Sequence, residues 1–120
     1  MKTITDEPLV MNCNKILVNP KDIWVELINI GFIENDDQFI AISRLAYEDE
    51  IYIEHNDQIN CLTAHHDDVC FTLEDKCLVI EVTRPIAISN MPTTIRLTLN
   101  TTVGDLAEVL DALKAKTIEI

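Results

Sequence analysis

The densest group of side chains that could do chemistry is the run His65-His66-Asp67-Asp68, with His55 and Cys70 close by in the sequence. Zinc is bound by imidazole, thiolate and carboxylate groups, and three or four of them must converge at roughly 2 Å from the ion. Neither HExxH nor CxxC, two spacings that bring such ligands together, occurs here. Side chains of adjacent histidines diverge on an extended backbone. We therefore expect a solvated or partner-contacting loop, with no metal ion and no cofactor.

Covalent catalysis is not favoured either. Such catalysis needs a nucleophile, a base beside it and a group that stabilises the oxyanion. Cys70 could be the nucleophile and His65 or His66 the base. The strand that carries Cys70 is expected to be interior, which is typical of a packed thiol. The chain has two glycines, no GxSxG motif and no glycine-rich phosphate loop. The sequence therefore predicts a protein that is not an enzyme.

Acidic residues occur in pairs and triplets where turns are predicted between strands. The DxDxDG spacing of an EF-hand calcium loop is absent. We expect these loops to converge into one negative patch that contacts a partner around an exposed aromatic anchor. Tyr52 lies opposite the apolar face of Ile51 and Ile53 and is the expected anchor, whereas Trp24 is expected in the core. The predicted partner-binding residues are Asp36, Asp37, Glu48, Asp49, Glu50, Tyr52, Asp57, Asp67 and Asp68.

The net charge of −12 is concentrated in one third of the chain. Residues 34–75 contain twelve acids and a single base, Arg44, and so carry −11. Nucleic acids and anionic membranes would be repelled by such a surface. A basic protein would be attracted and would associate faster. The same acidity also serves plain solubility.

Composition predicts one domain over residues 1–120. Apolar residues make up 48% of the chain, which is enough for a core without a metal or a disulfide. Glycine and proline are scarce, so no flexible linker is expected. No signal peptide or membrane span is recognisable, which predicts a cytoplasmic protein with reduced cysteines.

Alternating apolar residues predict strands at residues 39–46, 51–54, 59–63, 69–73, 77–83 and 94–100. Residues 23–33 fit a strand or a short helix, residues 74–76 a three-residue hairpin turn, and residues 85–92 a connection. A capping-box pattern at residues 102–105 precedes an apolar helix face made by Leu106, Val109, Leu110 and Leu113. Residues 118–120 could pair at a sheet edge. This order predicts an α+β fold, a mostly antiparallel sheet of about six to eight strands packed by a C-terminal helix.

The stretch from Glu50 to Asn60 is similar to a motif of small bacterial immunity proteins. A strand ending in Glu is followed by an Asp-Gln…Asn turn, then by the hairpin CFTLEDKCLVIEV, the strand IRLTLN and the helix DLAEVLDAL. Over residues 45–115 this order resembles the immunity protein 10 family of contact-dependent inhibition and polymorphic-toxin systems. The resemblance implies binding and neutralisation of a cognate toxin domain, often a nuclease. Such a toxin is commonly basic because it binds phosphate.

The implied partner is therefore a basic toxin domain rather than a nucleic acid or a membrane. An acidic secretion chaperone or another protein-binding adaptor is the alternative. Those proteins usually dimerise and expose apolar grooves, whereas the immunity interpretation favours a monomer over an obligate oligomer.

Overall fold

The computed structural model describes residues 7–19 and 27–117, and it describes residues 57–59 through their backbone only. Trp24, predicted in the core, and residues 118–120, predicted at a sheet edge, lie outside the described residues. Within the described ranges, no helix has the length and the apolarity needed to cross a bilayer.

Ten strands, one α-helix and one 3-10 turn follow one another in these ranges. Alternation of apolar and polar residues dictates most of the strands, because successive side chains of a strand point to opposite faces. The strands are β1 (Leu9–Cys13), β2 (Lys15–Val18), β3 (Leu27–Asn35), β4 (Gln38–Leu45), β5 (Glu50–His55), β6 (Asp57–His65), β7 (Val69–Glu74), β8 (Cys77–Val82), β9 (Pro85–Ser89) and β10 (Thr94–Leu99). The 3-10 turn His66–Asp68 joins β6 to β7, and the helix α1 spans Leu106–Lys114.

The strands form two sheets that share one core. The smaller sheet has the order β1-β10-β8-β7, and the larger has the order β2-β3-β4-β5-β6-β9. Neighbouring strands are antiparallel except β1 and β10, which run parallel. One apolar cluster contains Ile42 and Ile53 of the larger sheet, Leu78 and Leu97 of the smaller sheet, and the buried face of α1. Each sheet therefore turns one face to the core and one face outward.

The structure confirms the predicted α+β class, with mostly antiparallel strands and a C-terminal helix. The strand count differs, because ten strands lie in two sheets where about six to eight were predicted in one. At Asn14 the chain passes from the smaller sheet, which contains β1, into the larger sheet, which contains β2. Residues 85–92, predicted as a connection, contain β9, because Ala87 and Ile88 pair with Thr63 and Leu62 of β6.

The β7–β8 hairpin is one residue tighter than predicted. Glu74 pairs with Cys77, so Asp75 and Lys76 alone form the turn. Asp75 has a positive φ of 51°, which aspartate tolerates better than most residues. Cys70 is exposed rather than packed in the interior, so that prediction is wrong, and all four cysteines are free thiols.

The helix α1 buries the face that its sequence predicts, with Leu106, Val109, Leu110 and Leu113 all inside the core. The predicted capping box at residues 102–105 does not form. Asp105 is itself the N-cap residue, and its side chain makes no capping hydrogen bond. Since α1 packs against β3 and the 3-10 turn, its position is set by burial of the apolar face rather than by the cap.

Candidate functional site

Two loops meet at one end of the larger sheet, where β5 begins and β6 ends. Because β5 and β6 are antiparallel, Glu50 pairs with His65 and the two flanking loops lie side by side. The backbone N–H of His66 donates to the backbone carbonyl of Asp49 at 2.9 Å and joins the loops directly. The acidic residues that these loops carry there, which we call the acidic end, are Glu48, Asp49, Glu50 and Asp67.

Arg44 lies beneath the acidic end, inside the core. It takes the core-facing position after Ile40 and Ile42 in β4, and only 1% of its surface is exposed. In the sequence it counts only as the single base among residues 34–75. The signal that could have identified it as a buried anchor is its place in the alternation, where an apolar residue is expected.

The guanidinium of Arg44 connects two segments that are far apart in the sequence. It donates to the carbonyl of Glu48 at 2.9 Å, to the carbonyls of Leu113 and Ala115 at 2.8 and 2.7 Å, and to the hydroxyl of Thr117 at 3.0 Å. Carbonyls at a helix C-terminus carry partial negative charge and suit a buried cation. Burial lowers the pKa of Arg44, while Asp49, Asp67 and Glu50 act in the opposite direction. Arg44 therefore fixes the β4–β5 loop relative to the end of α1.

Tyr52 stands beside the acidic end on the outer face of β5. Its cross-strand neighbours are Ser43 of β4 and Thr63 of β6, two small residues that leave its ring 38% exposed. Partial burial raises the pKa of the Tyr52 hydroxyl, and the negative charges of Glu48 and Glu50 raise it further. These carboxylates are therefore close enough to share a contact surface with the ring, which suits an aromatic anchor with a charged rim.

Three of the predicted contact residues lie at the opposite end of the larger sheet. Asp36 and Asp37 form the β3–β4 turn before β4 begins, whereas the acidic end follows its last residue. Eight residues of strand separate the two ends, a distance of roughly 24 Å. Asp57 follows β5 at that same far end, opposite His55, and its side chain lies outside the described part of the chain. The predicted convergence into one negative patch is therefore wrong, because the antiparallel order sends alternate turns to opposite ends.

Asp68 is mostly engaged within the protein. Its carboxylate accepts from Arg84 at 3.1 Å, and only 16% of its side chain is exposed. Its backbone carbonyl accepts the N–H of Thr83 at 2.9 Å. Asp68 thus anchors the 3-10 turn to the segment before β9, while its neighbour Asp67 points to solvent with 77% of its side chain exposed.

Asp49, His65 and His66 place possible metal-ligand atoms within 4.8 Å of one another. The two imidazole rings stack at 4.3 Å with 28° between their planes. Each lone pair lies in the plane of its ring, so two stacked rings direct their lone pairs within planes that are nearly parallel, whereas the ligands of a tetrahedral zinc ion must converge on one point. The Arg44 guanidinium also donates to Thr117, which donates to Asp49, and so places a positive charge beside the group. Binding a cation here would require one ring to turn.

His66 is the most buried titratable group of this cluster, with 8% of its surface exposed. Its Nε2 lies 3.5 Å from the Thr117 hydroxyl. Its buried Nδ1 makes no hydrogen bond to any described residue. The Asp67 carboxylate is 3.3 Å from this atom, but the angle does not allow a hydrogen bond. Burial lowers the pKa of His66 and the charge of Arg44 lowers it further, although Asp67 and Asp49 oppose them. The neutral ring is the form that fits the folded protein.

We expect the folded state to become less stable as the pH falls below about 6.5, the usual pKa of an unfolded histidine. Because the pKa of His66 is lower in the folded state than in the unfolded state, the unfolded chain takes up the proton first. The contribution to stability is therefore present above about pH 6.5 and is lost during acidification. Urea unfolding of the wild type and of His66→Gln between pH 7.5 and 5 measures this contribution. The free energy of unfolding should fall less steeply with falling pH in the variant than in the wild type.

The matched control for this prediction is His65→Gln, which changes the neighbouring ring of the stack, 37% exposed at its side chain. An equal slope in wild type and His66→Gln would contradict the assignment. So would a loss of slope confined to His65→Gln.

Comparison of the chain with protein-family profiles, with curated proteins and with solved structures found no match. The features of this chain that bear on its function are the acidic end, Tyr52 beside it and the buried Arg44 beneath it.

Proposed function

We propose that this protein is an immunity protein that binds and neutralises a basic toxin domain of a bacterial contact-dependent inhibition or polymorphic-toxin system. The observation that carries the proposal is the acidic end, where two acidic loops meet and where Glu48 and Glu50 lie near the exposed Tyr52. A partner docked there would meet an aromatic anchor and a rim of negative charge in one surface. Asp36, Asp37 and Asp57 lie at the opposite end of the larger sheet and are not assigned to this contact.

Charge favours a basic partner in two ways. The whole chain carries −12, which steers a positively charged protein toward it before contact. Near contact, the acidic end offers the carboxylates that lysine and arginine side chains bind. A nuclease toxin has such side chains in its active site because it must bind phosphate. Occupying that site would neutralise the toxin without any chemistry by the inhibitor.

Rigidity favours tight binding at the acidic end. Arg44 holds the Glu48 carbonyl, and the His66 N–H holds the Asp49 carbonyl. Loops fixed in this way lose little conformational entropy when a partner docks. A contact of this kind gives a slow dissociation rate as well as electrostatic steering.

An acidic secretion chaperone or adaptor is the second candidate. One observation favours it, a groove of about 310 Å³ between β7 and α1 lined by apolar side chains that include Phe71, Leu73 and Leu110. A chaperone of this kind would be a dimer, and the immunity protein a monomer. Light scattering of the purified chain at several concentrations separates the two.

The proposed function predicts that the gene immediately upstream encodes the toxin, so the test uses the C-terminal domain of that gene's product as the toxin domain. We expect a one-to-one complex whose association rate falls at least about tenfold between low and high ionic strength, because screening shortens the range of the attraction. Stopped-flow mixing at a series of salt concentrations measures this rate. Co-expression should restore growth to cells that produce the toxin.

No binding to that domain, with no protection of the cells, would refute the proposal. An association rate that does not change with salt would leave binding intact but remove the electrostatic mechanism.

A further inference from the structure

The two sheets end in four edge strands, and three of them carry a feature that discourages further pairing. On β1 the N–H of Asn12 donates to the Glu34 carboxylate at 2.8 Å. On β7 the ammonium group of Lys114 donates to the carbonyl of Val69. The first residue of β2 is Lys15. Occupied backbone groups and edge lysines are the usual means by which sheets avoid unwanted strand addition.

β9 carries none of these features in the part of the chain that the structure describes. It pairs with β6 on one side, and its other edge is free of any described strand. Ile86 and Ile88 are 64% and 42% exposed. No charged residue occurs between Arg84 and Arg96, and the only proline of the strand is Pro85 at its first position. An exposed, apolar and uncharged edge strand is a template for pairing with another strand.

The beginning of β9 lies next to the acidic end. Pro85 pairs with Ala64, and the next residue of β6, His65, pairs with Glu50. Two strand spacings, roughly 10 Å, separate β9 from β5. A segment added to β9 would lie three strand spacings, roughly 14 Å, from β5, a distance well inside the Debye length of about 30 Å at 0.01 M salt. A basic segment would be stabilised there.

We propose that an extended segment of the basic toxin pairs with the free edge of β9, so that the larger sheet continues from this chain into its partner. The inference rests on the proposed function and adds how the partner is held. Backbone hydrogen bonds along β9 would slow dissociation, while the acidic end would speed association. A second copy of this chain is a poor occupant, because two chains of −12 repel each other.

The test places a lysine at both exposed apolar positions of β9, as Ile86→Lys with Ile88→Lys in the full chain. Edge lysines oppose strand addition. We expect the variant to bind the upstream toxin domain at least about 30-fold more weakly, as the loss of a few backbone hydrogen bonds implies. The dissociation rate, measured by surface plasmon resonance, should account for most of the change.

The matched control is Val10→Lys with Leu17→Lys. These residues are 66% and 50% exposed on the edge strands β1 and β2, and their replacement changes the net charge by the same amount. We expect the control to bind within about threefold of the wild type, because surface substitutions away from a contact have small effects. Unfolding midpoints of both variants should match the wild type.

Hydrogen exchange of the complex gives a second measurement. Slower exchange of backbone amides within residues 86–89 on binding the toxin domain would support the inference. Equal affinities of the two lysine variants, with wild-type binding intact, would overturn it and leave the proposed function standing. No binding by the wild type would overturn both. A wild-type dimer that the β9 variant abolishes would overturn it in favour of pairing between two copies.

Discussion

Replacing Arg44 with methionine should lower the free energy of unfolding by about 3–5 kcal/mol, because several buried carbonyl groups lose their hydrogen-bond donor at once. Methionine fills much of the space but donates no hydrogen bond. The carbonyls of Glu48, Leu113 and Ala115 would each lose the guanidinium as a donor. A buried acceptor left without a partner costs about 1–3 kcal/mol. Urea unfolding followed by circular dichroism at neutral pH measures the change.

The matched control is Arg96→Met on β10, where the arginine is exposed on the outer face. The same substitution there should change stability by less than about 0.5 kcal/mol. Arg44→Lys should fall between the two, because it keeps the charge but has no fork of donors that reaches several carbonyls. If Arg44→Met were as stable as Arg96→Met, Arg44 would not be the anchor of the acidic end.

Neutralising the acidic end should slow association with the toxin domain by about tenfold or more at low salt. The variant combines Glu48→Gln, Asp49→Asn, Glu50→Gln and Asp67→Asn. Each change keeps the size of the side chain and its hydrogen-bonding oxygen, so Asp49→Asn can still accept from the Thr117 hydroxyl. The reduction should disappear at high salt, where the wild-type rate has also fallen. Stopped-flow mixing gives both rates.

A second variant with the same number of changes distinguishes the effect of where the charges lie from the effect of the total net charge on the association rate. It combines Asp36→Asn, Asp37→Asn, Glu74→Gln and Asp75→Asn, which lie away from the acidic end in the β3–β4 turn, at the end of β7 and in the β7–β8 turn. Both variants carry a net charge four units less negative than the −12 of the wild type. A larger effect at the acidic end would support local contact. Equal effects would show that only the total charge matters and would remove the acidic end as the binding surface.

Local patterns determined much of the fold. The alternation at residues 77–83 correctly identified Leu78, Ile80 and Val82 as core residues, and the spacing along α1 identified its buried face. A strand exposes alternate residues to opposite sides and a helix repeats every 3.6 residues, so each pattern is complete within a few neighbouring residues. No such pattern marks β9, because its side chains are mostly exposed on both faces of the strand.

The functional surface depended on the order of the strands. The sequence alone determined that this protein is acidic, that the charge lies in residues 34–75 and that Tyr52 faces away from the core. Only the tertiary structure decided which acidic loops meet, because antiparallel pairing sends successive turns to opposite ends of a sheet. It also brought Arg44 against Leu113, 69 residues further along the chain. Contacts at such separations arise from packing of the whole chain, so no local pattern encodes them.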